Sequence, residues 1–415
     1  MLPRIYLFLA ILANVNGAIA QPFISSRRFG DFFDEAYKLY PSIPHGILEG
    51  VAFANTGMFN VTHGPGDPVS CMGIPPTYGV MGLMEDGKGV FRNNLGLIAD
   101  LAGYPPALIK SNTRINILAY AKAYAQLQIR PAFKSTNVQD QGSVIVELSE
   151  LPRTSPDNYP QEYQLYAVYS FLNNADEQRI FQFPAYKIKL NAIFSNEELR
   201  LLQSPAIKAE PGRAPANNNG GDYSRAAWVP APGCNYAQGR TQPITAIVIH
   251  DVEGSYQDCI SWFKACPCPN GQCGHCPAGS RGCDEGVPVG PTSAHYVVST
   301  LGQVTQMVRE TDKAWHVGTE NGYTIGIEHE GWCRSTYSQA LYTASAMLVK
   351  DICSRKTNID PKTTFKGQGC PCNTPGKCVQ DKSFLIKGHQ MYPNQTHTDP
   401  GPNWDWAAYY KLINT

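Results

Sequence analysis

The spacing of apolar residues divides the chain into two parts of different character. From about residue 28 to residue 203, apolar side chains recur three and four positions apart, as in Ile47, Leu48 and Val51. This is the period of one face of an α-helix. After Ser224, short apolar runs such as ITAIVIHDV and TIGIEHEG alternate with turns and with one long helical pattern, YSQALYTASAMLVKDICSRK. The pattern predicts a mostly α-helical first half and an α/β second half.

The segment between the two patterns, SPAIKAEPGRAPANNNGGDYS, has no apolar period and is crowded with Pro, Gly, Asn and Ala. Such composition is typical of a linker. We therefore expect a helical domain at residues 21–203, a linker at 204–224 and an α/β domain at 225–415. In that last domain we expect a central mixed sheet flanked by helices.

The N-terminus has the pattern of a secretory signal peptide. Arg4 precedes an apolar stretch from Ile5 to Ala13, and Ala18-Ile19-Ala20 then offers small residues for cleavage. This assigns residues 1–20 to a signal peptide and predicts an exported protein, periplasmic or extracellular. No apolar run approaches the roughly 20 residues that a membrane span needs, so we expect no transmembrane segment.

The charge balance narrows the choice of partners. Lys and Arg together number 34, and so do Asp and Glu, while charged residues make up only 16% of the chain. A neutral, sparsely charged protein has no broad basic field for nucleic acid, so we expect no nucleic-acid partner.

Twelve of the 13 cysteines lie between Cys234 and Cys378. Because export favours oxidation, an even dozen indicates disulfide-rich insertions with up to six bridges, and Cys71 is then the odd thiol. The alternative is metal binding by Cys266, Cys268 and their neighbours in ACPCPNGQCGHC, although these spacings differ from the paired C-x2-C of common zinc modules.

Three residues have the chemistry of a hydrolytic metal site, which needs about three protein ligands and one open position. His250 ends the apolar run from Ile244 to Ile249, and α/β sheets tend to place their sites at the carboxyl ends of strands. His389 and Asp399 stand ten positions apart on a later loop (399 minus 389). Each of these residues taken alone is more typical of a structural role.

Their combination with other motifs is specific. The segments IVIHDVEGS, SAHYVVSTLGQVTQMV, KAWHVG, TIGIEHEG and KGHQMYPNQTHTDPGPNWDW occur in this order. Over residues 224–415 the chain resembles the zinc-dependent N-acetylmuramoyl-L-alanine amidases, a family that also contains the peptidoglycan recognition proteins. The resemblance implies one zinc ion held by His250, His389 and Asp399. It also implies peptidoglycan as the partner and hydrolysis of the amide between N-acetylmuramic acid and L-alanine.

The same resemblance assigns further residues. Glu328 takes the position of the catalytic base, and Glu330 is the physical alternative because alternate residues of a strand share a face, with His329 on the other. His397 stands where family members often have a Lys that stabilises the oxyanion. Trp315 and His316 of KAWHVG match groove residues that bind substrate, although a buried aromatic edge with a satisfied imidazole would explain them equally well.

The first half resembles the lysozyme-like lytic transglycosylases, more loosely, through YPSIPHGILEGVAFANTGMFN, YGVMGLMED and NTRINILAYAKAYAQL. Where that family carries its catalytic Glu, this chain has Asn55, and an amide cannot protonate a glycosidic oxygen. We therefore predict a non-catalytic, glycan-binding domain with Asn55 as a contact. Glu49 or Glu85 could replace the acid, and a helical domain without any glycan site is the remaining alternative.

Two other classes of protein are compatible with the sequence. A recognition protein could keep the amidase fold without hydrolysis, but such relatives typically lose the third ligand, and His250, His389 and Asp399 are all present. The Cys-rich insertions could instead make the chain an adhesive or toxin-like scaffold. The enzyme is the favoured interpretation.

Overall fold

The computed structural model describes residues 26–63, 70, 72–86, 89–153, 158–204, 221–268, 280–281, 283–284 and 287–415. The predicted signal peptide and most of the predicted linker lie outside this part of the chain. The two described ends of that linker are packed into the protein. Ser204 donates a hydrogen bond to the carbonyl of Arg225, and Tyr223 is buried. The domain boundaries stay predictions.

The first half is mostly helical. Its elements are α1 Gly30–Leu39, α2 Ile47–Thr56, the hairpin β1 Thr77–Tyr78 and β2 Leu83–Met84, α3 Asn94–Ala102, α4 Pro106–Ser111, α5 Thr113–Gln128, α6 Gly142–Leu148, α7 Tyr159–Asn173, α8 Ala175–Phe181 and α9 Asn196–Leu202. Helix α2 packs against α7, and α5 packs against α1 and α3. Within the described residues, no helix is long and apolar enough to cross a bilayer.

Several helices begin where a side chain caps the free backbone N–H groups of the first turn. Asn112 accepts from the backbone of Ile115 at the start of α5, and Asn174 does the same at the start of α8. Ser195 and Glu198 form a reciprocal capping box at the start of α9. Caps of this kind each stabilise a helix by about 1 kcal/mol, so they fix where these helices begin.

The second half is built on a six-stranded sheet. Its elements are β3 Ala227–Trp228, β4 Tyr236–Ala237, β5 Ala246–Ile249, α10 Tyr256–Lys264, β6 Cys283–Asp284, β7 Val287–Pro288, β8 Tyr296–Val298, β9 Val304–Gln306, β10 Lys313–Ala314, β11 Thr324–His329, α11 Gln339–Arg355, β12 Ile386–Gly388 and α12 Trp406–Asn414. The strand order is β12, β5, β11, β8, β9, β3. Within this six-stranded sheet of the described residues, β8 and β9 pair antiparallel and the other neighbours pair parallel, so the sheet is mixed, as predicted.

Helix α10 lies between this sheet and the first half. It packs against β8 on one side and α7 on the other, and its residues from Tyr256 to Phe263 are buried. The Tyr256 hydroxyl is 3.1 Å from the hydroxyl of Tyr159 in α7, and Trp262 Nε1 donates to the carbonyl of Met72 at 2.7 Å. One hydrophobic core therefore runs through both halves.

The cysteines follow the disulfide prediction only in part. Bridges join Cys234 to Cys266, Cys333 to Cys372 and Cys370 to Cys378. The upper limit of six bridges is not reached, because Cys259 in α10 and Cys353 in α11 are free and buried. Both lie on helix faces that pack into a core, where a thiol behaves as a small apolar group. Cys71 lies outside the described residues.

A buried carboxyl group lies in the first half. Glu49 in α2 is 2% exposed and accepts a hydrogen bond from the Tyr37 hydroxyl, which itself accepts from the backbone N–H groups of Gly46 and Leu48. Burial raises the pKa of Glu49 to about 7, from an ordinary value of 4.5. At pH values between 4.5 and about 7, Glu49 is protonated in the folded protein and ionised in the unfolded chain. The free energy of unfolding therefore falls as pH rises through this window.

We expect Glu49→Gln to remove this pH dependence, because glutamine keeps an acceptor for Tyr37 and carries no charge. At pH 8 the variant should have a free energy of unfolding higher than that of the wild type, by on the order of 2 kcal/mol. At pH 4 to 5 the difference should shrink. Urea unfolding at the two pH values measures it, and a difference that does not change with pH would contradict the assignment.

Candidate metal centre and active site

Two neighbouring strands bring the predicted histidines together. Strands β5 and β12 are parallel, and Ile249 lies opposite Gly388 in their register. The residue after each strand is a histidine, so His250 and His389 emerge side by side at the carboxyl edge of the sheet. The loop after His389 returns to the same edge and places Asp399 beside both rings.

The three side chains form one compact group. His250 Nδ1 lies 2.9 Å from Asp399 Oδ2, and His389 Nδ1 lies 3.1 Å from Asp399 Oδ1. All three residues are buried, and one potential ligand atom of each lies within 4.8 Å of the others. Burial alone would raise the pKa of Asp399, but the adjacent His389 and His250 hold it below its usual range.

Hydrogen bonds fix which nitrogen of His250 carries its proton. The Thr324 hydroxyl donates its only proton to the carbonyl of Glu320 at 2.9 Å, so it accepts from His316 Nε2 at 3.2 Å. Burial lowers the pKa of His316 well below its usual value, so its Nδ1 has a lone pair and accepts from His250 Nε2 at 3.0 Å. Burial also lowers the pKa of His250 to about 4, so its ring is neutral at pH 7 and Nδ1 keeps its lone pair.

This arrangement fits a bound cation. The lone pair of His250 Nδ1 faces a carboxylate oxygen of Asp399, and two acceptors at that distance repel each other without a positive charge between them. Asp399 Oδ1, His389 Nδ1 and Glu328 Oε2 are buried without a hydrogen-bond partner among the described residues. Two imidazoles and a carboxylate are donors that divalent transition metals accept. The group could therefore hold a metal ion.

A second carboxyl group lies next to these three side chains. Glu328 belongs to β11, which pairs with β5, and its Oε1 is 3.8 Å from His250 Nδ1. Burial raises the pKa of Glu328 well above its usual value, and the nearby Asp399 and Asp251 raise it further. Such a carboxyl group holds a proton readily, which suits a group that accepts and returns one.

The two residues that follow Glu328 in the chain have other partners. His329 Nδ1 is 2.8 Å from the carbonyl of His250 and its Nε2 is 2.7 Å from the Ser345 hydroxyl, so its role is structural. Glu330 accepts a hydrogen bond from the backbone of Thr300 at 2.6 Å. Of the two carboxyl groups that the sequence left open, the structure brings Glu328 to the cluster.

The second half of the chain is similar to known amidases. The family model described as N-acetylmuramoyl-L-alanine amidase matches residues 240–402. N-acetylmuramoyl-L-alanine amidase A of Achromobacter lyticus is 37% identical over 197 residues, which cover 46% of this chain and 96% of that protein.

The chain belongs to the N-acetylmuramoyl-L-alanine amidase family.

More distant members of the family match a shorter stretch. The 1,6-anhydro-N-acetylmuramyl-L-alanine amidase AmpD of Escherichia coli (strain K12) is 28% identical over 130 residues, which cover 29% of this chain and 58% of AmpD. A crystal structure of an AmpD derivative aligns with 45% of this chain and 94% of that chain at 22% identity, with a TM-score of 0.31. The prediction that the chain is an amidase of this family is confirmed.

The other predicted residues of the amidase half lie around the cluster in different ways. The ring of His397 is 4.7 Å from the ring of His389, and burial lowers the pKa of His397. Trp315 is half-buried, with the Lys313 ammonium 4.3 Å above its ring. The His316 ring lies against His250, and a Cβ at Gly326 would be only 2.6 Å from it, which explains the glycine. His316 therefore contacts His250, and its role in substrate binding stays a prediction.

Asn55 lies away from the amidase cluster, inside the first half. It is 4% exposed, its Nδ2 donates to the carbonyl of Met81 at 3.0 Å, and its Oδ1 accepts from Gln164 at 2.8 Å. The helix α10 residue Gln257 donates to the carbonyl of Ala54 next to it. Both ends of the Asn55 amide are therefore committed to protein partners.

Sequence reasoning missed one residue of the cluster. Gln395 lies on the loop between His389 and Asp399, and its Oε1 is 2.9 Å from His389 Nε2. Nothing in its local pattern marked it, since a glutamine in a polar loop carries no spacing or motif that indicates chemistry.

Proposed function

We propose that this chain hydrolyses the amide between N-acetylmuramic acid and L-alanine in peptidoglycan with one zinc ion held by His250, His389 and Asp399. The observation that carries the proposal is the buried group of two imidazoles and a carboxylate, with Glu328 beside it, in a chain of the amidase family. Zinc at this position would supply a Lewis acid for the scissile carbonyl and for the attacking water.

The chain's own residues then have separate tasks. Glu328 accepts a proton from the attacking water and returns it to the leaving nitrogen of L-alanine, for which its raised pKa is suited. His397 donates an N–H hydrogen bond to the oxyanion that develops on the carbonyl. The half-buried Trp315 offers a face to the substrate at the rim of the site.

We propose in addition that the first half is a lysozyme-like domain that does not cut glycan. Asn55 has no acidic proton and is enclosed. Glu49 is buried against Tyr37, and Glu85 is exposed and paired with Lys110 at 2.7 Å. None of the three presents an acid to a glycosidic oxygen. Glycan binding by this half stays a prediction, and the committed amide of Asn55 is a poor contact for it.

We also propose that the protein acts outside the cytoplasm, in the periplasm or beyond the cell. The signal-like segment at residues 1–20 and the disulfides among the described residues support this. Disulfides form and persist in oxidising compartments, where peptidoglycan is also accessible.

Removal of any one ligand should abolish both metal retention and turnover. We expect His250→Ala, His389→Ala and Asp399→Ala to lose the zinc that the wild type retains, as measured by elemental analysis. Release of stem peptides from purified sacculi should fall to background. His63→Ala, at an exposed histidine of the first half, is the control and should keep both properties. Normal zinc content and turnover in His389→Ala would refute the site.

For Glu328→Gln we expect a different pattern, because a base is not a ligand. Turnover should fall by about 10²- to 10⁴-fold, while zinc remains bound. Glu330→Gln, two residues further along the chain, is the matched control and should keep most of the activity. Loss of zinc from Glu328→Gln would place Glu328 in the coordination shell, and full activity would exclude it as the base.

The proposal that the first half does not cut glycan can be tested in the full chain. With the amidase inactivated by His389→Ala, incubation with peptidoglycan should give neither anhydro-muropeptides nor new reducing ends by mass spectrometry. The appearance of either product, and its loss on adding Glu49→Gln or Glu85→Gln, would show a displaced acid and a bifunctional enzyme.

A further inference from the structure

Gln395 lies between a predicted metal ligand and a neighbouring loop. It is 9% exposed. Its Oε1 is 2.9 Å from His389 Nε2, and its Nε2 donates to the carbonyls of Pro393 at 3.2 Å and Val317 at 3.4 Å. The side chain therefore connects the second histidine of the cluster to the segment that carries His316.

These contacts fix the orientation of the Gln395 amide. A carbonyl can only accept hydrogen bonds, so the amide nitrogen faces the carbonyls of Pro393 and Val317. The reversed amide would set its oxygen against two carbonyl oxygens. Gln395 Oε1 is thus the atom that meets His389, and an oxygen at 2.9 Å from Nε2 requires a proton on that nitrogen.

The position of this proton decides what His389 offers to a metal. A ligand imidazole carries one proton, so a proton on Nε2 leaves the lone pair on Nδ1. His389 Nδ1 is the atom that lies 3.1 Å from Asp399 Oδ1, inside the cluster. Gln395 thus holds the proton of His389 on Nε2, as His316 holds the proton of His250 on Nε2.

His316 and Gln395, which contact the two histidines of the cluster, are both attached to one short segment. The backbone N–H groups of His316 and Val317 donate to Asn321 Oδ1, at 3.0 and 2.8 Å, which closes the segment into a rigid turn. His316 extends from this turn to His250, and Gln395 is anchored on its Val317 carbonyl. This one turn therefore fixes the positions of both the His250 ring and the His389 ring.

We propose that Gln395 is a positioning residue that holds His389 in the tautomer and orientation required for zinc binding. The proposal rests on the zinc site proposed above. Partners of this kind fix the ligand ring before the metal arrives, and their loss typically weakens metal affinity by about 10- to 100-fold.

The test compares three variants of the full chain. Gln395→Met keeps the length of the side chain and removes the acceptor, whereas Gln395→Glu keeps an acceptor oxygen for His389. Gln390→Met is the matched control, because Gln390 is a buried glutamine next to His389 whose side chain has no hydrogen-bond partner among the described residues. Zinc affinity is measured by competition with a chelator, and the melting temperature of each metal-free protein is measured separately.

We expect Gln395→Met to bind zinc about 10- to 100-fold more weakly than the wild type. Gln395→Glu should bind it clearly more tightly than Gln395→Met, and Gln390→Met should match the wild type. The metal-free melting temperatures should agree closely. Together these results would establish a role in positioning.

Other outcomes separate the two proposals. Wild-type affinity in Gln395→Met, with zinc still lost in His389→Ala, would overturn the role of Gln395 and leave the zinc site intact. Equal weakening in Gln395→Met and Gln395→Glu together with lowered metal-free melting temperatures would make Gln395 merely structural. Absence of zinc binding in the wild type would overturn the site itself.

Discussion

The second half of the protein is organised around three acceptor groups that face one another in a buried space. The lone pairs of His250 Nδ1 and His389 Nδ1 meet the two oxygens of the Asp399 carboxylate. Without a cation this contact is repulsive, and with one it becomes a set of ligands. The parallel pairing of β5 and β12, the returning loop and the hydrogen bonds behind both rings keep the three groups in this arrangement.

The first half of the chain also contacts the segment that follows His250. Strand β5 leads through the loop after His250 into α10, and the first half binds both. The Ser70 hydroxyl donates to the carbonyl of Val252 at 3.2 Å, and Gln257 donates to the carbonyl of Ala54 at 3.0 Å. The backbone just beyond His250 is therefore hydrogen-bonded to the first half of the chain.

The sequence predicted the parts of this structure that depend on short-range pattern and strand chemistry. The spacing of apolar residues distinguished the helices from the strands of the sheet. Because His250 directly follows a buried strand, its place at the carboxyl edge of the sheet could be predicted. Glu328 could be preferred over Glu330 only by family resemblance, because both share one face of an ideal strand. Tertiary contacts distinguish the two residues, because Glu330 lies beyond the end of β11 and accepts a hydrogen bond from the backbone of Thr300.

The rest depends on contacts between residues far apart in sequence. The support of His250 by His316 and of His389 by Gln395 requires two loops to meet, and no local pattern encodes that meeting. The free state of Cys259 and Cys353 likewise follows from which helix faces are buried, whereas composition alone suggested that both would be oxidised.

The burial of Cys259 has a consequence for the dynamics of the whole molecule. Its thiol lies in α10, within the core shared by the two halves, and burial raises its pKa well above the usual value. A reagent can reach it only when that packing opens. In the limit where reclosure is faster than modification, the rate of its reaction reports the free energy of that opening. The reaction rate of Cys259 thus measures how often the packing around α10 opens.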